Sequence, residues 1–264
     1  MAAADKAEYG LDNAWQDARA RLTSIEDWLD PGTTGHLRAR GVGPGWRCLE
    51  VGGGGGSVAQ WLCAQVGPSG QVVATDIDTR FLEALKKPNL RVERHDLTVD
   101  GLPAASFDLA HCRLVLAHLP QRQAALRRLA AAVKPSGWLV AEEMDFVSVA
   151  AGDHQPGARA FLQAVQVSNN VLRGRGFDPG YGRRLLGDFQ AAGLADIGTE
   201  GRATIWPGGS AGAMAWQLTF EQLKPEMAAL GLDQPTIAAA IAACQDPDFS
   251  FMSQLTIAAW GQRR

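Results

Sequence analysis

Five consecutive glycines, Gly52 to Gly56, follow the apolar run Cys48-Leu49-Glu50-Val51 and lead into Ser57-Val58-Ala59-Gln60-Trp61-Leu62. Glycine adopts positive φ freely and carries no Cβ, so such a run lets the backbone turn sharply and lets a ligand lie against main-chain N–H groups. A strand pattern entering the run and a helix pattern leaving it make it a binding loop at a strand's carboxyl end. Its neighbours narrow the ligand. A dinucleotide fingerprint started at Gly52 would need its third glycine where Ser57 stands, and a phosphate loop would end in Lys-Ser or Lys-Thr, which this one lacks. The pattern that fits is Glu-x-Gly-x-Gly-x-Gly, through Glu50, Gly52, Gly54 and Gly56. A carboxylate just ahead of the loop repels a pyrophosphate and could hold an ammonium group, which favours a zwitterionic amino-acid ligand.

Two further carboxylates agree. Asp76 closes the run Val72-Val73-Ala74-Thr75, 20 positions after Gly56, where an acid can accept both hydroxyls of a ribose. Asp78 and Thr79 are better placed to cap a helix. Asp96 follows the strand pattern Leu90 to Arg94 and could accept an adenine amine or serve as an ordinary turn residue. The candidate general bases are His111, at the end of the fourth strand, and His154, in the loop after the fifth; for each the alternative is a structural or solvated histidine. His118 is better suited to capping or packing. The run Glu142-Glu143-Met144-Asp145 could face an acceptor or be a solvated strand end.

These residues are positioned by short apolar runs alternating with helix-like segments, the pattern of a mostly parallel sheet. Strands are expected at Arg47 to Val51, Val72 to Asp76, Leu90 to Arg94, Phe107 to Cys112 and Gly137 to Glu142, with helices at Ser57 to Val66, Arg80 to Lys86 and Arg122 to Val133. Ahead of them Leu11, Trp15, Ala18, Leu22, Ile25 and Leu29 recur at helical spacing. Asp30-Pro31-Gly32 is expected to break that helix before a second one at Thr34 to Arg40. After Phe146, helices at Gly157 to Leu172 and Gly182 to Ala192, a strand at Ala195 to Trp206, a helical segment at 207–248 and a strand at Phe249 to Trp260 are expected. The division is then an amino-terminal helical lid at 1–45, a core at 46–206 and 249–264, and a cap at 207–248. Trp206, Met214, Trp216, Leu218, Phe220 and Phe251 could line an acceptor pocket or be simple core.

With 25 Lys and Arg against 28 Asp and Glu, the net charge is −3, which disfavours a nucleic-acid surface. No apolar run approaches the roughly 18 residues that span a bilayer. Residues 1–10 lack the apolar segment of a secretory signal. Cys48, Cys63, Cys112 and Cys244 stand too far apart for a zinc site, and read as small buried residues in a reducing cytoplasm. No metal is expected.

Taken together, CLEVGGGGGSVAQWL (48–62), VVATDIDTRFL (72–82), RHDL (94–97), FDLAHCRLVLAHLP (107–120) and KPSGWLVAEE (134–143) resemble class I S-adenosylmethionine-dependent methyltransferases, in particular small-molecule enzymes of the actinobacterial type. The resemblance covers about 19–146. It implies an α/β fold, a doubly wound seven-stranded sheet with an antiparallel last strand, and S-adenosylmethionine as cofactor. By position, Glu50, Gly52, Gly53, Gly54 and Gly56 would line the methionine and ribose end. Asp76 would take the ribose hydroxyls, Ile77 would pack on the adenine, and Asp96 with Leu97 would meet its amine edge. Cys112 and Arg113 would lie under the sulfonium, and Arg21 could pair with the cofactor carboxylate or be solvated. The implied reaction passes a methyl group to an O, N or C atom of a small-molecule acceptor, with no nucleic-acid or membrane partner; the amino-terminal helices could pair subunits in a homodimer. The alternatives are a protein of this fold that binds the cofactor without transferring the methyl group and, further off, a nicotinamide-dependent oxidoreductase.

Overall fold

A computed structural model describes residues 11–264; the expected lack of a signal segment at 1–10, and the start of the expected lid, lie outside them. Ten strands and seven helices are described: α1 (Ala18–Ala39), β1 (Arg47–Val51), α2 (Ser57–Val66), β2 (Gln71–Asp76), β3 (Leu90–Arg94), β4 (Phe107–Arg113), α3 (Arg122–Ala132), β5 (Val133–Asp145), β6 (Ala150–Ala151), α4 (Ala158–Arg173), α5 (Leu185–Ala191), β7 (Ala195–Arg202), β8 (Ile205–Pro207), α6 (Ala211–Ala229), α7 (Gln234–Gln245), β9 (Ser250–Met252) and β10 (Leu255–Gln262). The main sheet has seven strands in the order β3-β2-β1-β4-β5-β10-β7. β1 to β5 run parallel, and β10 runs antiparallel to both β5 and β7. The Rossmann-like architecture is therefore present, with its reversal between β1 and β4.

Alternation along the strands divides the core. Cys48, Val72, Leu109 and Val140 pack on Leu37 of α1 and on Leu62 and Val66 of α2. Leu49, Val51, Ala110, Cys112 and Ala141 face the other way, toward Leu126 and Leu129 of α3 and Phe189 of α5. All four cysteines are buried and free.

Four expectations are corrected. α1 does not end at Pro31: it runs through to Ala39. Proline removes the N–H that would bond the Asp27 carbonyl, and contacts outside the helix hold it across that gap: Thr33 donates its hydroxyl to Glu142 of β5 and Asp30 pairs with Arg113 of β4 at 2.9 Å. The segment 80–86 forms turns, with Leu82 fully buried and Pro88 close behind. The expected strands at Ala195 to Trp206 and Phe249 to Trp260 each change sheets. β8 and β9 leave the main sheet and join β6 in a three-stranded sheet. The two corners are bonded to each other: Thr204 N–H donates to Ser253 Oγ (3.0 Å) and Ser253 N–H to the Thr204 carbonyl (2.8 Å). The helices within 207–248, α6 and α7, both pack on α4.

Around Phe161 of α4, ring centroids of Trp216, Phe220, Phe249 and Phe251 lie at 6.2, 5.9, 5.4 and 4.7 Å. Among the described residues no helix is long and apolar enough to cross a membrane. Truncating Phe161, which is fully buried, should cost about 3–5 kcal/mol. Urea denaturation of Phe161→Ala measures this; a loss under about 1 kcal/mol would show that the cap packs loosely on the core.

Candidate active site

The loop 52–56 is stitched to the end of β2. Gly52 and Gly53 donate N–H to the Thr75 carbonyl at 2.8 and 3.1 Å, and Gly54 N–H donates to Asp76 Oδ2 at 2.9 Å. Gly52, Gly54 and Gly56 have φ of 67°, 51° and 92°, the left-handed region that favours glycine. A side chain at Gly52 would also collide with Val115. Asp76 Oδ1 takes the Asp78 N–H (3.1 Å); burial raises the Asp76 pKa, against the pull of these N–H bonds. Beside it Ile77 is 46% exposed, a large apolar side chain left uncovered. Asp96 Oδ1 closes a turn on Thr98 (2.9 Å to N, 2.6 Å to Oγ1), and Leu97 is buried in the core. His95 is buried with neither ring nitrogen hydrogen-bonded, and its backbone N–H donates to the Asp76 carbonyl (2.9 Å).

α1 lies across this loop. Arg19 donates to the Gly55 carbonyl (2.7 Å), Glu26 accepts from Ser57 N–H (3.3 Å) and Asp30 from the Ser57 hydroxyl (3.1 Å). Carboxylates at the first turn of α2 suit the positive end of its dipole.

Under the loop, neighbouring strands bring three buried groups together. Glu50 of β1 stands opposite His111 of β4, and Glu50 Oε2 lies 2.6 Å from His111 Nδ1. His111 Nε2 faces Glu142 Oε2 at 3.8 Å. Burial opposes a charge on His111, but Glu50 and Glu142 outweigh it and lift the imidazole pKa to about 9. Burial likewise opposes ionisation of Glu142, yet His111, Arg113 and Thr33 hold its pKa below the usual carboxylate value. Thr33 of α1 donates its hydroxyl to Glu142, and Arg113 reaches Thr33 Oγ1 at 2.8 Å and Asp30 at 2.9 Å.

Several expected site residues are thereby re-assigned. Glu50 meets an internal cation, His111, instead of an open ammonium site. His111 is fully buried, with Nδ1 on Glu50 and Nε2 facing Glu142, and it does not line the cavity beneath α1. Cys112 is fully buried in the apolar core and Arg113 is bound to α1, so neither side chain lies open to a sulfonium. His154 is exposed in the turn before α4, beside Gly152, and does not line the cavity enclosed beneath α1. Arg21 is not solvated: it is 1% exposed and lines that cavity.

The cavity, about 80 Å³, is enclosed by Ile25 and Trp28 of α1, Leu114, Ala117 and His118 after β4, Glu143 of β5, Phe146, Phe177 and Trp216 of α6. Of the aromatic set expected from the sequence only Trp216 lines it; Phe220 and Phe251 belong to the core around Phe161, and Trp206 packs edge-on against Trp28 (5.9 Å). Trp28 and Phe177 lie outside that expected set, although Arg21, Ile25 and Trp28 are one helical stripe. Glu143 Oε1 takes the N–H groups of Val115, Leu116 and Ala117 (3.1, 2.6 and 3.4 Å), and Oε2 has no partner. Burial lifts its pKa to about 8 against those bonds. Burial, and then the charge of Arg21, lower the His118 pKa to about 4.

No group of three or more His, Cys, Asp or Glu among the described residues is placed to hold a metal ion. The raised pKa values fix a pH dependence of stability. His111 titrates near 6.5 when unfolded and near 9 when folded, so its contribution is full below pH 6.5 and is lost as pH rises through 9. Glu143, raised from 4.5 to about 8, acts in the same direction over a lower window. The thermal midpoint should therefore fall by several degrees from pH 7 to 9.5. His111→Gln should be less stable at pH 7 and show a flatter slope; an unchanged slope in differential scanning fluorimetry would remove His111 as its source.

Residues 49–139 match the model of a methyltransferase domain family. The chain is 32% identical over 176 residues to methyltransferase str2 of Strobilurus tenacellus, spanning 66% of this chain and 62% of that one. It is 31% identical over 136 residues to a ubiquinone biosynthesis O-methyltransferase of Xanthomonas campestris, spanning 49% of this chain and 55% of that one. The chain thus spans between half and two thirds of the length of these curated relatives. In fold it resembles phosphoethanolamine N-methyltransferase 2 of Haemonchus contortus, with a TM-score of 0.58 and 15% identity over 96% of this chain and 59% of that one. In its glycine loop, its strand order and the methyltransferase domain match at 49–139, the chain is similar to the class I S-adenosylmethionine-dependent methyltransferases.

Proposed function

We propose that this protein is an S-adenosylmethionine-dependent methyltransferase whose acceptor is a small molecule held in the cavity under α1. The observation that carries the reading is the corner Leu114–Val115. Val115 occupies the space that a side chain at Gly52 would need, while Leu114, in the left-handed region with φ of 56°, lines the cavity. One turn of chain therefore joins the glycine loop to the pocket beneath α1.

The residues present fit the cofactor. The glycine backbone leaves a loop without Cβ atoms, Asp76 offers a carboxylate at the ribose position, and the exposed Ile77 offers an apolar face to an adenine. The unpartnered ring nitrogens of His95 add unspent hydrogen-bonding capacity nearby. When bound, the cofactor supplies a methyl group already activated on a sulfonium for in-line attack by an O, N or C nucleophile. The protein's share is alignment and exclusion of water, which can supply roughly 7–11 kcal/mol. Trp28, Phe146, Phe177 and Trp216 keep the pocket apolar. Glu143, with Oε2 free among the described residues, is the group placed to exchange a proton with an acceptor there. The sequence relatives named above are methyltransferases, which supports transfer over binding without reaction.

Calorimetric titration with S-adenosylmethionine, S-adenosylhomocysteine and NADH tests this. Both adenosyl ligands should bind with micromolar affinity and NADH should not; binding of NADH alone would overturn the reading. Asp76→Ala should weaken both adenosyl ligands by about ten- to a hundredfold, the equivalent of one or two lost hydrogen bonds to a charged group. Its circular dichroism should stay unchanged, and intact affinity would remove Asp76 from the ribose site.

A further inference from the structure

We infer that Arg21 is an anion anchor, so that the cavity takes a compact, ring-sized apolar molecule bearing a carboxylate in preference to a neutral one. The inference rests on the reading of this cavity as the acceptor site. Arg21 is among the largest fully buried side chains of the protein, and its guanidinium is close to unpaired. Nη2 reaches the Leu11 carbonyl only at 3.5 Å, Nε has no partner, and no carboxylate among the described residues forms an ion pair with it. Nearby arginines differ: Arg19 pairs with Glu26, Arg113 with Asp30, and Arg122 with Asp178. A buried cation without a counter-ion is costly unless something arrives to neutralise it.

Glu143 does not play that part. One of its oxygens is used by three backbone N–H groups, and burial keeps it largely protonated at neutral pH. A protonated Glu143 adds a second donor to the cavity. His118 stands on the same cavity wall as Arg21 and offers it no negative charge. The remaining walls, Ile25, Trp28, Phe146, Phe177 and Trp216, suit a flat apolar body. A planar guanidinium recognises a carboxylate through two parallel bonds, which fixes orientation as well as charge.

The family resemblance puts Arg21 at the cofactor carboxylate. On α1, however, the residues turned to the glycine loop are Arg19, Leu22 and Glu26, while Arg21, Ile25 and Trp28 face the cavity. The test uses the full chain saturated with S-adenosylhomocysteine, and benzoate and benzamide as probes of equal shape and different charge, followed by ligand-observed NMR titration. Benzoate should bind at least about tenfold more tightly than benzamide, about 1.4 kcal/mol. Arg21→Met should abolish that preference, with Arg21→Lys retaining part of it and S-adenosylhomocysteine affinity unchanged in both. The comparison of the two probes on the unaltered protein stands even if a variant fails to fold. Benzoate binding that is absent, no tighter than benzamide, or unchanged in Arg21→Met overturns the inference. So does loss of S-adenosylhomocysteine binding in Arg21→Met with benzoate retained, which would return Arg21 to the cofactor. If S-adenosylhomocysteine fails to bind the unaltered protein, the methyltransferase reading falls, while an Arg21-dependent benzoate preference would still establish the anchor.

Discussion

Two carboxylates and an imidazolium lie beneath the sheet's carboxyl ends, where Glu50, His111 and Glu142 occupy three adjacent strands. Buried charges persist only when they neutralise one another and have their remaining hydrogen bonds met. Here the last acceptor capacity is met from outside the sheet, by Thr33 of α1, with Arg113 and Asp30 closing the circuit. The position of α1 is thereby tied to the electrostatics of β1, β4 and β5. A shift of the helix would leave a buried carboxylate short of a donor and an arginine short of its counter-ion.

That anchoring divides the labour of one helix between two stripes. Residues 19, 22, 26 and 30 lie along one stripe and meet the glycine loop and the first turn of α2; residues 21, 25 and 28 lie along another and wall the cavity. The two stripes belong to one rigid element, so the loop and the cavity share a boundary that moves as a unit. The strained Leu114 sits where the second boundary, after β4, does the same. Left-handed backbone at a bulky residue persists only where surrounding structure over-determines it, and here Leu114 N–H is held by the Glu142 carbonyl at 2.9 Å.

The parts of this arrangement that were legible in the sequence are those set by local pattern. The glycine run, the strands that alternate in burial and the helix α2 are each specified by neighbours within a few residues, and the structure places them at or within a residue of their expected bounds. Legibility fails where distant chain decides. Pro31 reads as a helix end because its rescue comes from Thr33, β4 and β5. His111 reads as a candidate base because nothing in its own segment reveals that strand register sets it opposite Glu50. The cavity draws its lining from residue 11 to residue 254, so no single stretch carries its signature. Of the expected apolar set, Trp216 does line the cavity, whereas Phe220 and Phe251 are apolar because they pack on Phe161 of α4.

The paired corners at Thr204 and Ser253 have a bearing on how such a protein could be diversified. The small sheet is made from the continuations of β7 and β10 and from β6, so the layer that carries α6 and α7 is spliced into the core at three points instead of being inserted at one. A segment exchange cut at 207 and 248 would carry α6 and α7 without the strands and the α4 partner on which they rest. The natural unit of recombination is larger: it runs from the end of β5 to the start of β10 and takes β7 with it. Substitutions on the cavity-facing stripe of α1 alter the pocket wall without touching a splice, so the shape of the cavity can change while the layers stay joined.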